Sequence, residues 1–308
     1  MSIAARVPAA HVALLAALTT VVLWASAFVG IRAASVDIGA GPLALGRLVV
    51  GSLALGIVVS SRGLVRPSRR DGALIVASGL LWFAVYNVAL NEAERNVDAG
   101  TASMLTNIGP ILIAVFAGLF LGEGFPPRLL AGMCVAFLGA IVIAIASASA
   151  PVPGGDATLG IALCLAAAVA YAGGVTLQKP ALRAVPAAQV TWMACVTGAI
   201  ACLPFLPRLV SDVTAAQPVS VAWMVYLGLF PTAIGFTTWA FALGRTTAGR
   251  LGSMTYLIPP IVIVMSVLLL GEVPPPLAIA GGVLCIAGVV VARSPGAVRW
   301  RRAAATGA

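Results

Sequence analysis

Charge is scarce in this chain of 308 residues, because Asp, Glu, Lys and Arg together make up only 9% of it. Soluble globular proteins carry about 25% charged residues, so these few charges cannot cover compact domains in water. Hydrophobic residues make up 61% of the chain, which also excludes a disordered polymer. The composition therefore predicts an integral membrane protein.

The residues that build most metal and nucleotide sites are also few. The chain has a single histidine, no GxxxxGK[ST] loop, no HExxH motif and no plausible Ser/His/Asp set, which argues against an ATPase or a metalloprotease. The five cysteines lack metal-ligand spacing and fall within apolar runs: Cys134, Cys164, Cys195, Cys202 and Cys285. We therefore expect no cofactor, no metal and no enzymatic activity.

Long apolar runs fill most of the sequence, each with about the 20 residues that a bilayer-spanning helix needs. They cover residues 12–34, 41–60, 72–91, 99–121, 126–147, 158–178, 187–207, 219–243, 248–270 and 275–293. Strands of a membrane barrel would alternate with a period of two, and these runs do not. The prediction is an all-α integral membrane protein with ten transmembrane helices.

The basic residues predict how the chain is oriented. If the N terminus is cytoplasmic, 14 of the 18 Lys and Arg residues lie on the cytoplasmic side. This bias follows the positive-inside rule, so both termini are predicted to be cytoplasmic in a bacterial-type inner membrane. The net charge of +9 then reports membrane insertion, and no nucleic-acid partner is expected.

The first run ends near an A-x-A pattern at Ala25-Ser26-Ala27, which resembles a cleavage site. A cleaved signal peptide has an apolar region of only about 7–15 residues, and this run is longer. We therefore expect it to remain as the first transmembrane helix.

The second half of the sequence repeats the first. With a shift of 149 positions, 15 of the 45 residues in 99–143 are identical to their counterparts. Leu121-Gly122-Glu123 then matches Leu270-Gly271-Glu272. Near the start of each half the shift is 147, and Trp24 matches Tyr171. These matches indicate a duplication.

The duplication predicts the domain organisation. A first five-helix repeat covers 1–147, a linker 148–157, a second repeat 158–293 and a basic cytoplasmic tail 294–308. Because five is odd, the second repeat must cross the membrane in the opposite sense. Inverted repeats are typical of secondary transporters, whose substrate sites lie between the repeats near the bilayer midplane.

Two copies of the pattern Pro–apolar–Leu-Gly-Glu–Pro-Pro–Ala-Gly–Gly occur, at 110–139 and 259–288. Together with Trp24, Phe28, Arg32 and Arg47 they resemble the paired EamA modules of the drug/metabolite transporter superfamily. The resemblance covers about residues 12–293 and implies ten helices, small-molecule transport and no ATP-hydrolysing domain. Within that superfamily, the chain is most similar to exporters of amino acids and related metabolites.

Polar and aromatic side chains near the middle of the runs are the candidate substrate-binding residues, because they can combine an apolar pocket with a few hydrogen bonds. They are Trp24, Tyr86, Asn87, Asn107, Tyr171, Gln178, Trp239 and Tyr256. Packing between helices or an interfacial aromatic belt is the alternative reading. Trp82 is a weaker candidate for substrate binding than these eight residues.

Pro110, Pro259 and Pro260 lie at matching places in the two repeats, where a missing backbone N–H interrupts the helix. They are the predicted hinges.

Arg47 is the one clearly intramembrane charge and a functional candidate for that reason. A gate formed with Asp98, Glu94 or Glu92 is favoured over direct substrate contact, and snorkelling to the headgroups is the third reading.

The sequence thus predicts a secondary transporter that exports small metabolites, such as neutral or aromatic amino acids, by alternating access. Its partners would be a small-molecule substrate and the lipid bilayer. An exporter of hydrophobic cations or drugs and a membrane enzyme acting on lipid-linked substrates are the alternatives. Small residues such as Gly132 and Gly288 favour packing inside a monomer over a dimer surface, but monomer and homodimer both stay open.

Overall fold

The computed structural model describes residues 9–97, 102, 105–147, 155–270 and 276–294, and every regular element among them is helical. The α-helices are α1 (Ala9–Ala34), α2 (Ala40–Ser60), α3 (Arg69–Ser78), α4 (Tyr86–Asn96), α5 (Gly109–Phe120), α6 (Pro127–Ser147), α7 (Ala157–Ala181), α8 (Ala187–Ala201), α9 (Leu206–Ala215), α10 (Pro218–Leu227), α11 (Phe236–Leu243), α12 (Ala248–Gly252), α13 (Ile258–Leu270) and α14 (Pro276–Arg293). The predicted all-α class is confirmed for this part of the chain.

Several of these helices are long and apolar enough to cross a bilayer. In the described residues there are five, or six if the bent pair α8 and α9 forms one span. They are His11–Ala34, Ala40–Ser60, Arg69–Asn96, Thr158–Ala181 and Pro218–Leu243. Each of the ten predicted runs contains helix, but several pieces are short, so ten crossings stay a prediction.

The run predicted for 187–207 differs from the structure. Helix α8 ends at Ala201, a 3₁₀ turn covers Leu203–Phe205, and α9 then continues at an angle of 52°. Pro204 and Pro207 have no N–H to donate, so a straight α-helix cannot pass through them. Most of the segment between the predicted runs 187–207 and 219–243 is therefore an additional helix.

Two π-helical segments interrupt the third span of each repeat. Gly79–Val85 joins α3 to α4, and Gly228–Gly235 joins α10 to α11. Their first residues are 149 positions apart, so the two segments are repeat counterparts. A π-segment often marks a functional site, and no sequence pattern predicted this pair.

The two repeats pack on each other through symmetric contacts at these π-segments. A Cβ added at Gly79 would lie 2.7 Å from the Ala194 carbonyl oxygen, and one added at Gly228 would lie 2.8 Å from that of Arg47. Ala194 and Arg47 are themselves counterparts at the shift of 147. The second helix of each repeat thus packs on the third span of the other.

Hydrogen bonds between counterpart residues reveal the axis that relates the repeats. A residue touches its own counterpart only beside such an axis, and three bonds between described residues meet this condition. They are Cys195 Sγ to Leu48 O at 3.3 Å, Tyr256 Oη to Asn107 O at 3.0 Å, and Cys285 Sγ to Ala136 O at 3.4 Å. The axis therefore passes beside α2 and α8, the breaks before α5 and α13, and α6 and α14.

Helices α6 and α14 are in backbone contact along their small residues. A Cβ added at Gly132 would lie 2.3 Å from Ala292 N, and one added at Gly288 would lie 2.4 Å from Ala136 N. Such close approach is possible only where side chains are absent. The small residues thus pack the two repeats together inside one chain.

Candidate functional site

A cavity of about 70 Å³ lies between the two repeats. Three pairs of repeat counterparts line it: Trp24 with Tyr171, Asn87 with Phe236, and Thr106 with Thr255. Since counterparts from both repeats face the same space, the cavity lies on the axis defined above. Ligand pockets commonly have volumes of about 300–1,000 Å³, so a metabolite would fit only after this cavity widens.

Packed aromatic rings form the wall of the cavity. The Trp24 ring lies 5.8 Å from Trp82, 5.2 Å from Phe236 and 4.9 Å from Trp239, measured between centroids. The Trp82 and Tyr171 rings are 5.3 Å apart. Edge-on and tilted contacts of this kind stabilise aromatic clusters beyond the area that they bury. They give the cavity a rigid apolar surface.

Glycines provide the space for two of these rings. A Cβ at Gly174 would lie 2.5 Å from Trp82 Cβ, and one at Gly109 would lie 2.7 Å from Tyr171 Cδ1. Any side chain at either glycine would overlap with the aromatic residue and displace it. The positions of Trp82 and Tyr171 therefore depend on these two glycines.

The predicted prolines stand at the start of half-helices and not in the middle of continuous ones. Pro110 is the second residue of α5, and Pro259 and Pro260 are the second and third residues of α13. A 3₁₀ turn, Ser253–Leu257, precedes α13. Proline suits the first turn, where its missing N–H costs no hydrogen bond. Both repeats are thus interrupted, and the prolines' action as hinges stays a prediction.

The structure brings five of the eight predicted substrate-binding residues to the cavity: Trp24, Tyr86, Asn87, Asn107 and Tyr171. Gln178 is buried away from it, and Trp239 packs behind Trp24. Tyr256 is buried and donates a hydrogen bond to the Asn107 carbonyl. For these last three, a role in binding stays a prediction without support from position.

Several lining residues were missed or given little weight. Trp82, Phe28, Phe236, Thr106 and Thr255 all face the cavity. The signal for the two threonines was present, because they are identical residues at the shift of 149. Phe236 and Asn87 are brought to the cavity by the π-segments that precede them, which no pattern predicted.

Arg47 also lines the cavity, and its residue is only 4% exposed. Its Nε donates a hydrogen bond to Thr232 Oγ1 at 3.0 Å. Among the described residues no carboxylate lies within 4.0 Å of its guanidinium. Of its predicted carboxylate partners, Glu92 and Glu94 form no ion pair with it, although Glu94 interacts with it electrostatically. Asp98 lies outside the described residues, so the predicted gate stays a prediction.

A charged cluster joins the repeats at the end predicted to be cytoplasmic. Lys179 Nζ lies 2.5 Å from Glu123 Oε1 and donates to the Thr246 carbonyl at 2.5 Å. The Glu123 carboxylate also accepts hydrogen bonds from the N–H groups of Ala248 at 2.9 Å and Gly249 at 3.3 Å. One glutamate of the first repeat thus holds two segments of the second.

Two aspartates join the repeats at the opposite end. Asp37 accepts hydrogen bonds from Ser220 Oγ at 2.6 Å and from Gln217 N at 3.0 Å, and Asp212 accepts one from Gly39 N at 2.9 Å. The Ser220 hydroxyl, followed by the Gln217 N–H, lowers the pKa of Asp37 below its ordinary value of 3.8. Asp37 therefore remains ionised to lower pH than a free aspartate.

Trp24 and Tyr256 should respond differently to substitution. Trp24→Ala removes part of the cavity wall, so we expect the half-saturating substrate concentration to rise about tenfold. The lost ring contacts should also lower the stability of the fold. Tyr256→Phe removes the bond to Asn107 O and should cost about 1 kcal/mol of stability. Flux assays and thermal denaturation would measure the two effects. Unchanged flux for Trp24→Ala would contradict the site.

Comparison with known proteins gives consistent matches. Residues 11–145 and 158–294 each match the model of the EamA-like transporter family. A probable terminal-alkyne amino-acid exporter of Streptantibioticus cattleyicolor is 40% identical over 94% of this chain and 95% of its own. A probable amino-acid metabolite efflux pump of Escherichia coli is 24% identical over 76% of this chain and 80% of its own.

Among solved crystal structures, one that is similar covers most of the chain. It superposes with a TM-score of 0.75 and covers 94% of this chain and 98% of its own, at 20% sequence identity. At this identity the likeness concerns the fold alone.

Proposed function

Because the chain belongs to the EamA-like transporter family, we propose that it exports neutral amino acids and related small metabolites by alternating access. It is a multi-pass membrane transporter and not an enzyme. The observation that carries the proposal is the cavity between the repeats, lined by counterparts from both. A site on such an axis can be approached equally from either side.

The lining suggests the kind of substrate. Trp24, Trp82, Tyr171 and Phe236 offer apolar faces, whereas Tyr86 and Asn87 carry polar groups. The Asn87 side-chain nitrogen already donates to the carbonyls of Trp82 and Phe83, so its oxygen is the group left for a ligand. This combination suits a small molecule with an apolar side chain and a polar head. The probable exporter with 40% identity is named for terminal-alkyne amino acids, whose side chains are also small and apolar.

Alternating access requires that each end of the pathway can close. The cluster of Glu123 and Lys179 closes the repeats together at the predicted cytoplasmic end, and the broken helices beginning at Pro110 and Pro259 provide candidate hinges. In this proposal ten helices cross the inner membrane as two inverted repeats with both termini cytoplasmic. The narrow cavity must widen on one side to admit substrate.

Export of hydrophobic cations or drugs is the second candidate. The aromatic rings could contact an organic cation through cation–π interactions, but no acidic residue is among the described lining residues, and Arg47 among them would repel a cation. The lining thus favours neutral or zwitterionic molecules over cations.

Reconstitution tests the proposal directly. Proteoliposomes holding the full chain would be loaded with labelled L-leucine, L-phenylalanine, L-propargylglycine or the cation tetraphenylphosphonium, and efflux would be followed against protein-free vesicles. We expect efflux of at least one amino acid to exceed background about tenfold, with little movement of the cation. Cation efflux alone would favour the second candidate. Background rates for every compound would overturn transport of these classes.

A further inference from the structure

We propose that Arg47 binds the carboxylate of the transported amino acid, which makes it the residue that selects acids over their neutral derivatives. The proposal rests on the function proposed above and identifies the substrate group that the cavity recognises. It gives Arg47 a direct substrate contact in place of a structural or gating role.

The surroundings of Arg47 are the first observation. The residue is 4% exposed, and its guanidinium is fixed through one hydrogen bond from Nε to Thr232 Oγ1. The described residues provide neither a second hydrogen bond nor a carboxylate within 4.0 Å. Among the described residues, Glu94 is the one carboxylate that interacts electrostatically with Arg47, and it does so without an ion pair within 4.0 Å. Because a buried cation without a directly bonded anion is unfavourable, an anionic ligand in the cavity would find a strong partner.

The internal repeat is the second observation. The counterpart of Arg47 is Ala194, and the counterpart of Thr232 is Phe83. Both of these are buried in the apolar core. On one side of the axis, Ala194 and Phe83 thus pack at the interface between the repeats. At the equivalent place on the other side, Arg47 and Thr232 occupy the same positions. Packing alone does not require a cation here, so the charge has another purpose.

The geometry of the guanidinium is the third observation. Thr232 occupies Nε, and the paired terminal nitrogens form the edge that binds carboxylates through two parallel hydrogen bonds. Arg47 and the aromatic rings line the same cavity. A zwitterion could thus place its carboxylate on Arg47 and its side chain against Trp24 or Trp82.

The test compares each amino acid with its carboxamide, which keeps the ammonium group and side chain but loses the negative charge. L-Leucine, L-phenylalanine and their amides would compete for efflux from the proteoliposomes described above. For the wild-type chain we expect the acid to compete about 10- to 100-fold better than the amide, the range expected for hydrogen bonds to a charged group. Equal competition by acid and amide would overturn the proposal without any variant.

Arg47→Gln should lower the competition by the acid to the level of the amide, and Arg47→Lys should retain part of the preference because it keeps the charge without the planar fork. Arg208→Gln is the matched control, since this arginine is exposed and pairs only with Asp212 in the described residues. Thermal denaturation of each purified variant would identify misfolding.

The possible failures are distinguishable. If the wild-type chain moves none of the amino acids, the proposed function is overturned. If it moves them but Arg47→Gln keeps the preference for acids, only the role of Arg47 is overturned.

Discussion

Glu123→Gln is expected to slow transport about tenfold and to open the predicted cytoplasmic end of the molecule. The wild-type carboxylate pairs with Lys179 and accepts hydrogen bonds from the N–H groups of Ala248 and Gly249. Each hydrogen bond to a charged group contributes about 1.5–3 kcal/mol, and 1.4 kcal/mol changes an equilibrium tenfold. Loss of the charge should therefore depopulate the state that is closed at this end.

The rate of amide hydrogen exchange would measure the opening of this end directly. Peptides containing Ala248 and Gly249 should exchange faster in Glu123→Gln, because their N–H groups lose a charged acceptor. Lys179→Met should have a smaller effect, since it leaves the two backbone contacts of Glu123 in place.

Asp71→Asn is the matched control on the same predicted side. Asp71 is partly exposed and accepts a hydrogen bond from Ser68 Oγ at the start of its own helix, so this contact lies within one repeat. Wild-type flux and exchange in Glu123→Gln would show that the cluster does not participate in the transport cycle.

Gly288→Val is expected to remove about 3 kcal/mol or more of stability, with little folded protein recovered. The first added carbon would lie 2.4 Å from Ala136 N and 2.6 Å from Gly132 O. Both are backbone atoms, so helices α6 and α14 must separate to relieve the overlap. Overpacking of a core costs about 1–3 kcal/mol even where side chains can move.

Thermal denaturation of the purified chain would measure this loss, and Gly72→Ala is the control. Gly72 lies in α3, and a Cβ there would meet nothing within 4 Å, so the higher helix propensity of Ala should leave stability unchanged or slightly raised. If Gly288→Val instead kept the wild-type midpoint but altered the oligomeric state, the glycines would form a surface between chains.

The sequence predicted five of the residues that line the candidate site: Trp24, Tyr86, Asn87, Asn107 and Tyr171. Trp24, Tyr171 and Asn107 were predicted as polar or aromatic residues near the middle of apolar runs, and the duplication also pairs Trp24 with Tyr171. Gln178 and Trp239 were selected by residue type and approximate depth alone. Depth does not determine which side of a helix faces the axis, and the structure places both away from the cavity.

The sequence by itself determined the membrane location, the duplication and the family, because these depend on local properties of the chain. Apolar runs require a bilayer whatever their neighbours are, the repeated Leu-Gly-Glu and Pro-Pro motifs require a duplication, and the EamA-like family follows from both. The tertiary structure decided which counterparts meet. It places Cys285 beside Ala136 and Tyr256 beside Asn107 across 149 residues of chain.

The same distinction applies to charge. The position of Arg47 within an apolar run identified it as an intramembrane cation. Only the fold shows that it lies at a cavity with Thr232 as its hydrogen-bond partner. Likewise, the repeat marked Glu123 as part of a motif, whereas packing brought it to Lys179 and Ala248. Local patterns specify how a segment behaves in a membrane. The partners of a side chain depend on contacts between segments that are distant in sequence, and these arise only when the two repeats pack together.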